Sequence, residues 1–259
     1  MDLYILLALL GLAAGFLSGL LGIGGGIIMA PLLLYIPPQF GFEVFSMKVV
    51  AGLTIVQGLV ACLAGSLTHR RFHCVSGSLT LWMGAAIFVA ALIGGAGANY
   101  VNDRILLAIF AVMALVAAVL IFVPTRADSE VPALSSISFS RPRAVGTAGI
   151  VGLLGGLVGQ GGSFILIPLM TSVLQIPTRI AIGSNLAIVL LSSLAAFLGK
   201  ALTGQIAWVL AIPIVLTVIP AAHLGSLASR KIPVAGLRIL LAACITIAVI
   251  RMGVAVFAA

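Results

Sequence analysis

Two glycine-rich stretches are the residues of this sequence best suited to binding a ligand. Positions 22–26 read Gly-Ile-Gly-Gly-Gly, and positions 159–163 read Gly-Gln-Gly-Gly-Ser. Because glycine costs a helix about 1 kcal/mol relative to alanine, consecutive glycines predict a break in a helix. The helix that restarts after a break has free N–H groups in its first turn, and its dipole favours negative charge there. Each stretch is therefore a candidate anion site.

Close helix packing is the alternative explanation for glycines, and we prefer it for the upstream series Gly11, Gly15 and Gly19. Small residues at this spacing let membrane helices approach each other closely. Consecutive glycines exceed what packing requires, so we prefer a functional role at 22–26 and 159–163. A P-loop is not indicated, because no Gly-Lys-Ser/Thr sequence is present.

Uncharged polar side chains inside apolar segments supply further hydrogen-bond donors. Thr54 and Asn185 are such residues, and Gln57 follows Thr54 by one helical turn. An oxyanion needs donors, and neutral donors add no charge that must be desolvated when the site is empty. Hydrogen bonding between helices is the alternative role. The predicted substrate-binding residues are Gly24, Gly25, Gly26, Thr54, Gln57, Gln160, Gly161, Gly162, Ser163 and Asn185.

Two cations precede the helices that carry these donors. Lys48 lies six residues before Thr54, and Arg179 lies six residues before Asn185. We predict that Lys48 and Arg179 gate the path or steer anions at opposite mouths. The alternative is that both are flanking residues whose charged ends reach the membrane surface.

The acidic residues exclude several other functions. All five Asp and Glu residues lie in loops or at the ends of apolar segments. The sequence therefore lacks the intramembrane carboxylates of a cation site or of the commonest proton relays. No Ser/His/Asp set, His-Glu-x-x-His sequence or carboxylate pair is recognisable, and the three cysteines lack metal-type spacing. We predict no enzyme activity, no metal and no cofactor.

The composition identifies the class of protein. Mean hydropathy is +1.36, 63% of the residues are hydrophobic and only 7% are charged. Several apolar runs exceed the 18 residues typical of a membrane-spanning helix. The net charge of +8 has no basic cluster longer than Arg70-Arg71, so it indicates topology-setting flanks rather than nucleic-acid binding. The sequence predicts an all-α polytopic membrane protein in contact with the lipid bilayer.

Turns and polar stretches divide the chain into two halves joined by a polar linker. A single helix over 3–36 would measure about 50 Å, longer than the hydrocarbon core of about 30 Å. We therefore predict a glycine-broken hairpin there and another at 144–176. The first half, 1–123, comprises the hairpin 3–36 and helices at about 47–68, 76–98 and 105–123. The linker is 124–143, and the second half, 144–259, comprises the hairpin 144–176 and helices at about 180–198, 206–228 and 234–259.

The halves are diverged copies of one unit. The glycines around the first break recur around the second at an offset of 137 residues, as from Gly15 to Gly152. Downstream, the offset becomes 131 residues, which places Asn185 on Thr54 and Gly225 on Gly94. Repeats of this kind are common in secondary transporters.

Charge counting favours inversion of the second copy. If both glycine-broken segments return to the side they entered from, nine of the 13 Lys and Arg residues lie on one side and four on the other. The positive-inside rule then makes the nine cytoplasmic. The four outer residues are Lys48, Arg104, Lys200 and Arg251. This model predicts two inverted repeats, with both termini outside and the linker 124–143 in the cytoplasm.

The two glycine breaks, each followed by a proline, resemble those of the sulfite exporter TauE/SafE family. The matching residues are Gly15-x-x-x-Gly19-x-x-Gly22-x-Gly-Gly-Gly with Pro31, and Gly152 to Ser163 with Pro168. The similarity extends over the whole chain, including both halves and the central polar loop. It implies a bacterial inner-membrane transporter that exports a small sulfur-containing anion, such as sulfite or an organosulfonate like sulfoacetate. Ser163 stands where the first copy has Gly26, so the two breaks are not identical.

Two other functions remain compatible with the sequence. One is an uptake carrier for another anion or metabolite. The other is a non-transporting membrane scaffold, which would explain packing glycines but not two broken spans. Whether the chain forms a homo-oligomer stays open.

Overall fold

The computed structural model of the protein describes residues 2–21, 24, 26–69, 76–122 and 139–229, together with the separate residues 236, 239, 240, 242, 243 and 246. Every regular element in these ranges is helical. The α-helices are α1 (Leu3–Leu21), α2 (Gly26–Gln39), α3 (Met47–His69), α4 (Gly77–Gly97), α5 (Asp103–Phe122), α6 (Arg141–Leu157), α7 (Ser163–Ser172), α8 (Thr178–Leu202) and α9 (Trp208–Ser229). Most of the linker 124–143 and nearly all of the helix expected at 234–259 lie outside the described residues.

Several helix ends differ from the predicted boundaries, among them the end of α7 at Ser172 and of α8 at Leu202; at two others a proline explains the difference. We expected the first hairpin to end at residue 36, but α2 continues through Pro37 and Pro38 to Gln39. The N–H groups of Phe40 and Phe42 bond to the Pro37 carbonyl, so the end of the helix remains hydrogen-bonded. At the second hairpin α6 begins at Arg141, three residues early, because a proline in the first turn has no helical N–H to lose.

Glycines set α1 against α9 in a parallel arrangement. The Cα of Gly11 lies so near Ile214 that an added Cβ would be 3.0 Å from the Ile214 Cα. Two turns later, a Cβ on Gly19 would collide with the Ala222 carbonyl. Residue numbers rise together along both helices, so α1 and α9 run in the same direction. Backbone-to-backbone contact of this kind is the close packing that small residues permit in membranes.

The second half repeats this contact with the helices exchanged. A Cβ on Gly152 would lie 3.0 Å from the Cα of Ile87, and a Cβ on Gly156 would lie 2.5 Å from the Ala91 carbonyl oxygen. Thus α6 and α4 are parallel. The pair Gly156 and Ala91 occupies the repeat positions of Gly19 and Ala222, at offsets of 137 and 131.

Three hydrogen bonds place several helix ends together. Lys48, at the start of α3, donates to the Asn99 carbonyl just beyond α4, at 2.9 Å. Lys200, near the end of α8, donates to the carbonyl of Leu157, the last residue of α6, at 3.2 Å. Gln205, just before α9, donates to a carbonyl of the last turn of α4. Hence one end of the bundle contains the first residues of α3 and α9 and the last residues of α4, α6 and α8. We call it the lysine end.

The outer surface suits a bilayer. Five of the described helices, α1, α3, α4, α5 and α9, are long and apolar enough to cross a membrane. Of these, α3 is the most buried and α5 the least, so α3 is central and α5 peripheral. Large apolar side chains such as Val112 and Leu216 point outward, as lipid contact allows. At the opposite end from the lysines, the Arg141 guanidinium lies 5.3 Å from the Trp82 ring centroid.

Candidate functional site

Both helix breaks are made by glycines in the left-handed conformation. Gly24 has φ +70°, and Gly161, its repeat equivalent, has φ +60°, a region in which side chains with a Cβ are strained. In the second break the N–H groups of Gln160 and Gly161 both bond to the Gly155 carbonyl, at 2.8 and 3.1 Å. Gly162, also left-handed, then caps the start of α7. The second break is therefore an ordered turn.

The two breaks lie against each other. A Cβ added to Gly24 would lie 3.4 Å from the Oγ of Ser163. A Cβ on Gly26 would lie 2.9 Å from the Oε1 of Gln160. The residues Gly24, Gly26, Gln160, Gly161 and Ser163 therefore form one site, which we call the break junction.

Helix α3 covers one side of the break junction. A Cβ on Gly58 would lie 3.2 Å from the Gly24 carbonyl oxygen, and one on Gly24 would lie 3.2 Å from the Sγ of Cys62. Gln57 is the neighbour of Gly58 and is fully buried. One turn earlier on the same helix, Thr54 reaches the second hairpin.

Helix α8 covers the other side. A Cβ on Gly161 would lie 2.8 Å from the Oγ of Ser193 and 3.4 Å from that of Ser192. The Ser193 hydroxyl is also a hydrogen-bond partner of the Cys62 thiol of α3. Cys62 and Ser193 are repeat equivalents, at the same offset of 131 as Thr54 and Asn185. The two central helices thus meet beside the junction through equivalent residues.

Several buried polar atoms at or beside this junction have no hydrogen-bond partner among the residues that the structure describes. They are both amide atoms of Gln57, both amide atoms of Gln160, and the hydroxyl oxygens of Ser163 and Ser192. All four side chains are buried, Gln160 being 4% exposed and the others fully enclosed. A buried polar atom without a partner costs about 1–3 kcal/mol, so such a concentration needs an explanation.

Backbone donors add to these side chains. The helical bonds of α7 begin with the Leu166 N–H, which bonds to the Gly162 carbonyl at 3.2 Å. The N–H groups of Phe164 and Ile165 therefore have no acceptor in the helix, as in any first turn. They lie directly after Ser163, where the positive end of the α7 dipole meets the break junction.

Thr54 makes the kind of contact between helices that was the alternative to a role in ligand binding. Its hydroxyl lies 2.9 Å from the Val50 carbonyl, 3.2 Å from the Ala51 carbonyl and 3.0 Å from the Gly159 carbonyl. A hydroxyl has one proton to donate, and here only carbonyl oxygens receive it. Thr54 therefore connects α3 to the second break.

The other expected site residues fall into two groups. Asn185 is fully buried in α8, and Lys48 is half-buried at the lysine end. Gly25 and the side chain of Arg179 lie outside the described residues. In the part of the chain that the structure describes, no group of three His, Cys, Asp or Glu side chains is arranged to hold a metal ion.

Three polar residues at or near the site were not selected from the sequence. Ser192 and Ser193 were not considered, and Cys62 was considered only as one of three cysteines without metal-type spacing. The repeat offset that aligns Thr54 with Asn185 also aligns Cys62 with Ser193, and this signal would have found the pair. Lys200 was counted only as a flanking charge, although it is fully buried.

Comparisons with known proteins identify relatives along nearly the whole chain. The family model described as Sulfite exporter TauE/SafE matches residues 7–252. The chain is 23% identical over 245 residues to "Probable membrane transporter protein YunE" of Bacillus subtilis, covering 88% of this chain and 89% of that protein. It is 23% identical over 250 residues to "Probable membrane transporter protein MJ0441" of Methanocaldococcus jannaschii, covering 91% and 90%. No solved structure matches the chain.

One relative is much longer than this chain. "Probable membrane transporter protein MamO" of Paramagnetospirillum magneticum is 29% identical over 262 residues. The matched segment covers 87% of this chain but only 40% of MamO. The similarity therefore concerns one part of MamO.

Proposed function

Because the chain belongs to the sulfite exporter TauE/SafE family, and is thus a multi-pass membrane transporter and not an enzyme, we propose that it exports a small oxyanion. Sulfite or an organosulfonate such as sulfoacetate is the proposed substrate class. The main support for this proposal is the group of buried polar side chains at the break junction that have no hydrogen-bond partner among the described residues. The alternative is that the protein takes up a different anion or a metabolite.

The chemistry of the junction supports an anionic substrate. The amide nitrogens of Gln57 and Gln160 and the hydroxyl of Ser163 are donors, and the free N–H groups at the start of α7 add two more. No carboxylate lies among the described residues named at the junction. An oxyanion bound there would accept these hydrogen bonds and remove the cost of leaving the donors unpaired.

The proposed transport mechanism uses two inverted repeats. Three observations support it: α1 is parallel to α9, α6 is parallel to α4, and α9 begins where α4 ends. Consequently α1 and α6, which are repeat equivalents, run in opposite directions. In transporters with this architecture the substrate site lies between the repeats, and rocking of one against the other exposes it to each side in turn.

A charge placed at the junction tests the proposal. Ser163→Asp adds a carboxylate at the first position of α7, where the helix dipole tolerates negative charge, while Ser163→Asn adds a neutral group of the same size. A like charge about 4 Å from the substrate costs about 4 kcal/mol at an effective dielectric constant of 20. We expect Ser163→Asp to weaken sulfite binding by about 100-fold or more relative to Ser163→Asn.

The measurement is efflux of radiolabelled sulfite from proteoliposomes at pH 8, with sulfoacetate, thiosulfate and sulfate as competitors. Equal sulfite efflux by the Asp and Asn variants would remove the break junction from the anion path. Absence of flux of any of these anions in the unmodified protein would instead favour a scaffold or a different substrate.

A further inference from the structure

Lys200 is a buried cation whose hydrogen bonds, within the described part of the chain, all go to neutral oxygen atoms. It is fully enclosed, and its ammonium donates to the Leu157 carbonyl at 3.2 Å and to the Oε1 of Gln205 at 3.3 Å. The charged group that acts on it electrostatically is Lys48, another cation. Lys48 in turn donates to the Asn99 carbonyl. Neither lysine pairs with a carboxylate in the described part of the chain.

This arrangement is costly as it stands. Taking an ammonium out of water costs several kcal/mol unless the charge is compensated, and a second cation nearby adds repulsion. Capping the C-terminus of α6 through Leu157 recovers part of that cost. A lysine has three N–H donors, and two of them account for the hydrogen bonds described. One donor of Lys200, two donors of Lys48 and the net positive charge of the pair are left for a ligand.

The lysine pair lies on the same two helices that enclose the break junction. Lys200 follows Ser193 by seven residues on α8, about 10 Å at helical rise, and Lys48 precedes Thr54 by six residues on α3, about 9 Å. Both lie at the lysine end of the bundle. A small anion leaving the junction along α3 and α8 towards that end would reach the pair within one step of about 10 Å.

We propose that Lys48 and Lys200 form a second anion-binding site, with Gln205 orienting Lys200, between the break junction and the membrane face at the lysine end. Its ligand is a small oxyanion, which balances the two cations and accepts the remaining lysine donors. This inference rests on the proposed anion transport, but it assigns a separate site and a role for Lys200. The anion then binds at two successive sites, first at the break junction and then at the lysine pair, on its way to the lysine end.

The test uses Lys200→Met and Lys48→Met, which remove the charge and keep most of the apolar stem. Arg104→Met is the matched control, because Arg104 is an exposed cation at the same end of the bundle. Losing a hydrogen bond to a charged group corresponds to about a 10- to 150-fold loss of affinity. We expect a rise of that size in the KM for sulfite flux in each lysine variant, and no change in Arg104→Met.

A second readout separates binding from folding. Sulfate and sulfite should raise the thermal unfolding midpoint of the purified protein, and the lysine variants should need proportionally more anion for the same rise. Lys200→Arg, which keeps the charge, should restore the low KM. If Lys200→Met fails to reach the membrane, Lys48→Met decides the result.

Two outcomes are distinguishable. An unchanged KM in Lys200→Met and Lys48→Met, with a functioning parent protein, would show that the lysines only stabilise helix ends, while the junction site stands. A parent protein that neither binds nor moves any of the anions would overturn the proposed function, and the lysine site with it.

Discussion

At the scale of single residues, the break junction is less stable than its packing would allow. Gln57 and Gln160 are long, buried side chains whose amide atoms have no hydrogen-bond partner in the described part of the chain. Apolar side chains of similar volume would avoid that cost, because replacing buried polar atoms with apolar groups of the same shape can be neutral or stabilising. We interpret the two amides as residues kept for the ligand at the expense of stability.

Gln57→Met and Gln160→Met should therefore separate stability from function. Each removes an unpartnered amide worth about 1–3 kcal/mol, so we expect the unfolding midpoint to rise or stay level. Sulfite binding, measured by calorimetry, should weaken by about 10-fold or more.

Gln39→Met is the matched control for both, because Gln39 is exposed at the end of α2. Neither its stability nor its sulfite affinity should change. A marked loss of stability in Gln57→Met would mean that the amide has partners in the folded protein, and the argument for it as a ligand would fail.

At the scale of elements, the ordered second break positions donors of the junction. Gly161 is left-handed and lies against α8, whereas Gly204 is left-handed in the turn between α8 and α9, with no atom within 4 Å of where a Cβ would be. The two glycines share a backbone requirement and differ in what surrounds them. They therefore allow strain and site geometry to be tested separately.

Gly161→Ala and Gly204→Ala should both lose about 1–2 kcal/mol of stability, the cost of a left-handed residue with a Cβ. Only Gly161→Ala should also lose sulfite flux, since its Cβ would press on the Ser193 hydroxyl at 2.8 Å. Thermal unfolding and proteoliposome efflux measure the two effects. Comparable flux in the two variants would indicate that the shape of the second break is not needed for transport.

At the scale of the whole molecule, the directions of the helices predict which loops share a side of the membrane. The turns after α2, α4 and α8 should lie together at the lysine end, and the linker between α5 and α6 at the other. The positive-inside rule makes the linker side cytoplasmic. The exposed hydrophobic surface of the outer helices requires that these ends, and not the sides of the bundle, face water.

Reporter fusions after Gly41, Asn102, Ser135 and Gly204 check this topology. We expect periplasmic signals after Gly41, Asn102 and Gly204, and a cytoplasmic signal after Ser135. Alkaline phosphatase and a fluorescent protein give opposite readouts for each position. If the fusions after Ser135 and Gly204 report the same side, the second glycine-broken segment crosses the membrane and the inverted arrangement is wrong.

The sequence predicted the helical membrane class because apolar runs and missing charges are independent of tertiary contacts. It also predicted the glycine breaks, since each half carries its own copy. It could not show that the Thr54 hydroxyl lies 3.0 Å from the Gly159 carbonyl oxygen, because that oxygen belongs to the second break, 105 residues away in the chain. The burial of Lys200 was equally hidden, since a lysine at a span end has the same sequence pattern whether enclosed or at the surface.

The parallel contact between α1 and α9 has a consequence for biosynthesis. The glycine face of α1 is synthesised near the start of translation, but the residue that packs on Gly19 is Ala222, about 200 residues downstream. At 5–20 residues per second, Ala222 is translated about 10–40 s after Gly19. The equivalent contact of α6 is with α4, which precedes it in the chain. The glycine face of the first hairpin therefore stays exposed to lipid until α9 has been synthesised. The second hairpin can pack on α4 as soon as it is inserted, because α4 is already in the membrane.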